Sequence, residues 1–230
     1  FKVQKIWKDN NNPDRPSEIT LYLLEDGVQI DSITLDSSDA TQGDDSIWEK
    51  ENAFVNLPVY GEDGHKITYT IEEASKVAGY RSEPDASGDG TLKLTNVLSG
   101  TISISGQKKW IDQNNKYGTR PDKIALEIMK RIDDEDAEIY KEITVSSSDS
   151  WQFILNNLPK YNEDGREYTY SVNEKSDLGN YDSNVSPVEG SGDNKSVIIT
   201  NQLKTPDSIT VPLKVNKVLT GENAPALQSG

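Results

Sequence analysis

The 230-residue chain has no cysteine, a single histidine (His65), one methionine and three phenylalanines. Without cysteine there is no disulfide framework, no thiol nucleophile and no Cys-ligated zinc site. One histidine removes most His-based metal and catalytic arrangements, and two similar domains cannot both build a Ser/His/Asp triad around it. No apolar run approaches the roughly 18 residues that mark a membrane-spanning helix. Positive charge is also short: 24 Lys and Arg face 39 Asp and Glu, for a formal charge of −15. So acidic a surface repels phosphate, which argues against nucleic acid and anionic lipid as partners. Hydrophobic residues make up only 33%, low for a globular protein. Four tryptophans and ten tyrosines nonetheless suffice to seed two small cores. The first residue is Phe1, with no initiator Met or signal peptide, which reads as an excised piece of a longer protein.

What the chain does contain is a long internal repeat. Lys5-Ile6-Trp7 recurs as Lys108-Lys109-Trp110, and Arg15-Pro16 as Arg120-Pro121. Trp48 matches Trp151, and Leu57-Pro58-Val59-Tyr60 matches Leu158-Pro159-Lys160-Tyr161. Glu62-Asp63-Gly64 returns as Glu163-Asp164-Gly165, and Tyr69-Thr70-Ile71-Glu72-Glu73 as Tyr170-Ser171-Val172-Asn173-Glu174. Tyr80 has a counterpart in Tyr181, and Thr95-Asn96 in Thr200-Asn201. The repeat predicts two homologous domains, 1–98 and 99–204, both acidic.

Short segments rich in Val, Ile, Thr and Tyr alternate in polarity, the period of half-buried strands. Glu25-Asp26-Gly27, Glu62-Asp63-Gly64 and Glu163-Asp164-Gly165 supply turns. This pattern predicts an all-β chain of two tandem sandwiches. Asp133 to Glu138 reads as a solvated acidic loop rather than helix. Residues 205–230 begin as a linker at Thr205-Pro206-Asp207. Ile209, Val211, Leu213, Val215 and Lys217 then alternate, like the first strand of a truncated third domain. A lone strand cannot bury its own face, so it should be loose or pair with a neighbour.

Three residues break the alternation in each repeat. Lys5 lies on the apolar face between Val3 and Trp7, and Lys108 between Gly106 and Trp110. Lysine is almost never buried unpaired, and burial disfavours its charge. Glu73 shares a face with Tyr69 and Ile71, and Glu174 with Tyr170 and Val172, so a carboxyl also points inward. Asn96 shares a face with Leu92 and Leu94, and Asn201 with Val197 and Ile199. Glu72, Asn173 and Lys109 have the opposite parity and should face solvent. Two readings follow. The three groups form a hydrogen-bonded buried ion pair, or they react. A desolvated neutral lysine amine is a nucleophile. A protonated Glu can polarise the Asn carbonyl and pass a proton to departing ammonia. Attack of Lys Nζ on Asn Cγ would leave an isopeptide bond, formed once and without turnover, so the chain is not a turnover enzyme.

The ordered set Lys-x-Trp, Arg-Pro, Trp, Leu-Pro-x-Tyr, Tyr-x-Ile/Val-x-Glu and Thr-Asn, found twice across residues 1–204, resembles the B-type repeat domains of collagen adhesins (Cna-B domains). These occur in Gram-positive surface proteins and pilins. The resemblance implies inverse immunoglobulin-like, prealbumin-like sandwiches, each with a Lys–Asn isopeptide bond promoted by an acidic residue. By position these are Lys5, Glu73 and Asn96, then Lys108, Glu174 and Asn201. It also implies an extracellular, cell-wall location and a stalk role, with neighbouring domains of the same surface protein as partners and host ligands reached through other domains. The alternative is a module that itself grips a host protein. Lys217-Val218-Leu219-Thr220-Gly221 resembles the first strand of a further isopeptide domain, where Lys217 lacks its partners.

No cofactor or metal is expected. The Asx-rich stretch Asp9 to Asp14 lacks the Gly and distal Glu of an EF-hand loop and reads as a polar loop. His65 reads as an exposed turn residue. Asn184 and Asn194 sit in glycosylation-like triplets of no consequence in a bacterial setting. Trp7, Trp48, Trp110 and Trp151 read as core rather than carbohydrate-binding residues.

Overall fold

The computed structural model describes residues 1–87 and 90–204. Among these described residues, fifteen strands follow in chain order. They are β1 (Lys2–Lys8), β2 (Glu18–Glu25), β3 (Val28–Asp36), β4 (Ala40–Thr41), β5 (Asp44–Lys50), β6 (Tyr69–Glu73), β7 (Tyr80–Ser87) and β8 (Thr91–Leu98). The second set is β9 (Thr101–Ile111), β10 (Lys123–Ile132), β11 (Glu138–Ser146), β12 (Gln152–Pro159), β13 (Tyr168–Glu174), β14 (Tyr181–Val185) and β15 (Asn194–Leu203). Helix among the described residues is confined to two single 3-10 turns, Ser37–Asp39 and Ser147–Asp149. They occupy equivalent places in the repeat, and each is closed by a capping box.

Two immunoglobulin-like sandwiches result. In the first, the sheet β4-β5-β1-β8-β7 faces β3-β2-β6, and in the second β12-β9-β15-β14 faces β11-β10-β13. Alternation does the sorting. Along β1 the burial runs intermediate, buried, intermediate, with Val3, Lys5 and Trp7 inward. Along β2 it is Ile19, Leu21 and Leu23 that turn inward. Each sandwich closes on its own core, Leu21, Leu23, Leu35 and Leu94 in one and Ile104, Leu126, Ile128 and Ile199 in the other. The acidic stretch after Asp133 is a hairpin turn between β10 and β11, as its composition indicates.

The first strand of each sandwich lies beside the last, and the two run parallel. Lys5 pairs with Leu94 and Trp7 with Asn96. In the second sandwich Lys108 pairs with Ile199 and Trp110 with Asn201. Parallel neighbours need a long crossover, and here the crossover is nearly the whole domain. The inward faces of the first and last strands therefore bring Lys and Asn two rungs apart on the same face.

The two cores are filled differently at one rung. Val3 pairs with Lys50 across β1 and β5, whereas Gly106 pairs with Phe153 across β9 and β12. The Phe153 ring takes the space that a side chain at position 106 would need: a Cβ built on Gly106 would lie 2.0 Å from Phe153 Cζ. Gly106→Ala should therefore lower the stability of the second sandwich by about 1–3 kcal/mol, the usual cost of overpacking. It should read as a lower urea midpoint, and adding Phe153→Ala should cost less than the two single changes sum to.

Candidate functional site

In each sandwich the inward lysine stands near the middle of the long first strand. Lys5 is fully buried and Lys108 nearly so, as are Asn96 and Asn201. The acid comes from the facing sheet. Glu73 ends β6 and pairs with Leu21, while Glu174 ends β13 and pairs with Leu126. Glu72 and Asn173, of opposite parity, are exposed, and so is Lys109. All six residues singled out by parity thus sit in or against the interior of their own sandwich.

In the second sandwich the three groups are in contact. Lys108 Nζ donates to both carboxylate oxygens of Glu174 at 3.0 Å. Asn201 Nδ2 donates to Glu174 Oε1, also at 3.0 Å. The side chain of Lys108 is 0% exposed and that of Glu174 3%. Asn201 Oδ1 is buried without a hydrogen-bond partner. The acid therefore touches the amide through its nitrogen, the group that ammonia loss would remove. Polarising the carbonyl oxygen requires a half-turn of the amide, which exchanges two atoms of similar size.

In the first sandwich the same groups are present with different bonds. Lys5 Nζ donates to the carbonyls of Ile6 at 3.2 Å and Leu94 at 3.4 Å. Glu73 Oε1 and both polar atoms of Asn96 are buried with no hydrogen-bond partner. Buried orphans of this kind are uncommon, each costing about 1–3 kcal/mol. Burial lowers Lys5 from its ordinary 10.5 to about 7, the Glu73 and Asp9 charges opposing that shift and Arg15 adding to it. Lys108 is lowered by burial too, against the pull of Glu174. Both amines are thus biased toward the neutral, nucleophilic form.

A tryptophan at the centre of an aromatic box lies against each lysine. Lys5 Nζ lies 4.1 Å from the centroid of the Trp7 ring, and Lys108 Nζ 4.8 Å from that of Trp110. Trp7 meets Trp48 and Tyr80 edge-on, and Trp110 meets Trp151 and Tyr181 in the same way. Trp7 and Trp48 are core residues, and Trp110 and Trp151 are partly buried against the second core.

Parity did not reveal the polar brace behind that box. Asp9 is buried, and Arg15 grips it with Nε at 2.8 Å and Nη2 at 2.6 Å while the Tyr80 hydroxyl donates at 2.8 Å. Burial works to raise the Asp9 carboxyl, but the Arg15 and Tyr80 bonds outweigh it and hold it below the usual carboxylate range. Asp112, Arg120 and Tyr181 repeat the arrangement. The polar stretch from Asp9 is thus a loop whose first carboxylate belongs to the core. Its signal was present, since all three residues recur in the repeat. His65 sits half-exposed in its turn, bonded to Asp63 and, at 2.7 Å, to Asp26. Arg166 bridges Asp133 and Glu135 at the equivalent place. Lys217 and the strand expected in the tail lie outside the described residues.

The family model for the Cna protein B-type domain matches residues 1–97 and again 104–202. The chain belongs to the Cna B-type domain family. A collagen adhesin of Staphylococcus aureus is 34% identical over 177 residues, which is 75% of this chain and 14% of that protein. The chain thus spans a small part of the curated relative it matches. A crystal structure of two B repeat units of the S. aureus collagen-binding protein Cna covers 88% of this chain and 48% of its own, at 30% identity and a TM-score of 0.46. The shaft pilin SpaA of Lactobacillus rhamnosus GG covers 92% of this chain and 98% of its own, at 15% identity and a TM-score of 0.30.

The depressed lysine gives the first sandwich a pH signature. With its folded value near 7 and its unfolded value near 10.5, Lys5 binds more protons unfolded than folded between those limits. Stability therefore rises with pH across that window, and the full penalty is present below pH 7. In Asn96→Ala, where no bond to Asn96 forms, the urea midpoint of the first sandwich should climb between pH 7 and 10. Lys5→Met in the same background should remove the lysine's share of that slope.

Proposed function

We propose that residues 1–98 and 99–204 are two stalk domains of a cell-wall-anchored adhesin or pilin of a Gram-positive bacterium, each locked by a self-formed isopeptide bond. The bonds join Lys5 to Asn96 and Lys108 to Asn201, with Glu73 and Glu174 as the acids that move the proton. The observation that carries this reading is the recurrence, in both sandwiches, of a buried lysine and a buried asparagine on adjacent parallel strands beneath a glutamate from the opposite sheet.

The reaction balances without oxidant or cofactor. The neutral Lys Nζ attacks Asn Cγ, forming a C–N bond and a tetrahedral centre. One Nζ proton passes to the glutamate and from there to Asn Nδ2. The Cγ–Nδ2 bond breaks and ammonia leaves, with one proton left on the new amide nitrogen. In the second sandwich Glu174 Oε1 lies 3.0 Å from both nitrogens, within reach for such a transfer. The folded sheet holds the partners together, so no diffusional encounter opposes the step.

The bonds suit a load-bearing role. Each closes a loop of roughly 90 residues, worth about 4–5 kcal/mol by analogy with disulfides of that span. More important is the direction of force. Pulling on the two ends of a domain shears the parallel first and last strands past each other, and a covalent tie between them carries the load. An amide needs no oxidising environment, which fits an exported chain without cysteine. The relatives' surface and shaft roles support an extracellular stalk, with host-matrix ligands met by other parts of the whole protein.

Intact mass under denaturing conditions tests the reading. Each bond releases one ammonia, so two bonds should lower the mass by about 34 Da. Peptide mapping should place them at Lys5–Asn96 and Lys108–Asn201, and Glu73→Ala with Glu174→Ala should restore the full mass. A wild-type chain at its full calculated mass would return both trios to the role of buried polar clusters.

A further inference from the structure

Glu174 has one more contact, and it comes from outside the trio. Ser183 on β14 donates its hydroxyl to Glu174 Oε2 at 2.5 Å. Ser183 is the cross-strand partner of Asn201, so it stands directly beside the amide that reacts. We propose that Ser183 is a positioning residue for the crosslink of the second sandwich, an inference that rests on the isopeptide reading above.

The division of contacts between the two carboxylate oxygens carries the argument. Oε2 receives Ser183 and Lys108, and Oε1 receives Lys108 and Asn201. A carboxylate offers about four acceptor sites, and here four hydrogen bonds from three donor groups fill them. With Oε2 held by Ser183, the carboxyl group cannot turn about its Cγ–Cδ bond. Oε1 is therefore kept between the attacking nitrogen and the departing one. Charge-assisted hydrogen bonds of this type are about twice as strong as neutral ones, so the hydroxyl is a substantial part of what fixes the acid. Deletion of it leaves Lys108 and Asn201 as the only restraints, and both must change their bonding during the reaction.

The first sandwich supplies a comparison within the same chain. Ser82 is the cross-strand partner of Asn96, at the place Ser183 holds beside Asn201. There Glu73 Oε1 has no hydrogen-bond partner, and Lys5 turns to backbone carbonyls. The sandwich in which the serine grips the acid is the one in which acid, amine and amide are bonded together.

The test is the rate of crosslinking during cell-free synthesis of the full chain. Timed samples are denatured and mapped for the Lys108–Asn201 and Lys5–Asn96 peptides, the second serving as an internal clock. Ser183→Ala should slow the Lys108–Asn201 bond by about tenfold or more, the scale of one hydrogen bond to a charged group, with Lys5–Asn96 unchanged. Ser183→Thr, which keeps the hydroxyl, should restore the rate. A Lys108→Ala background, which cannot crosslink, should show the same urea midpoint with serine or alanine at 183 to within the cost of one exposed side chain, separating positioning from unfolding. Wild-type crosslinking rates in Ser183→Ala, alongside failure in Glu174→Ala, would overturn the inference and leave the isopeptide reading standing. Slowing that Ser183→Thr does not rescue would equally overturn it. No Lys108–Asn201 bond in the wild-type chain would overturn the isopeptide reading first, and this inference with it.

Discussion

The parallel pairing of the first and last strands is the constraint on which each sandwich depends. It brings together residues about 90 positions apart, so the loop-closure entropy is committed before these contacts reward it. It also decides which side chains meet at the centre. Lys5 and Asn96 stand two rungs apart on one inward face, as do Lys108 and Asn201. Because the paired strands are the chain's entry and exit from the domain, the same geometry places the polar site between them.

A buried lysine is an expense that the surrounding structure must meet. Desolvation pushes the amine toward neutrality, and the aromatic box of Trp7, Trp48 and Tyr80 keeps water from restoring the charge. The box is itself held from behind by Asp9, Arg15 and Tyr80. Removing one partner of such a buried pair leaves an uncompensated charge, which is why the brace is complete in both copies. Among the described residues, the buried side-chain polar atoms without a hydrogen-bond partner all belong to the two lysine sites: those of Asn96 and Asn201, Glu73 Oε1 and the indole nitrogens of Trp7 and Trp110.

Much of this was legible in the chain. A period of two places Val3, Lys5 and Trp7 on one face whatever the sheet order, and the repeat shows that the anomaly is not an accident of one strand. Parity likewise separated Glu73 from Glu72, Glu174 from Asn173, and Lys108 from Lys109. The Asp9–Arg15–Tyr80 brace was not read, although its residues recur as Asp112, Arg120 and Tyr181. Asp9 keeps the inward parity of Val3, Lys5 and Trp7 one residue beyond the end of β1, but it opens a polar stretch whose composition reads as loop. Ser183 escaped for a related reason. It lies on a short edge strand with mostly exposed neighbours, and its hydroxyl matters only through the glutamate it meets.

Local pattern therefore determined the strands, their inward faces, the twofold repeat and the identity of the six central residues. These depend on side-chain alternation and on composition, which are properties of neighbouring residues. Only the tertiary structure decided that the first strand pairs with the last, that the acid reaches across from the opposite sheet, and that Glu174 is bonded to its partners while Glu73 Oε1 is not. Those facts depend on which strands are adjacent in space and on how each side chain settles among donors from other elements. Alternation along one strand carries no information about either.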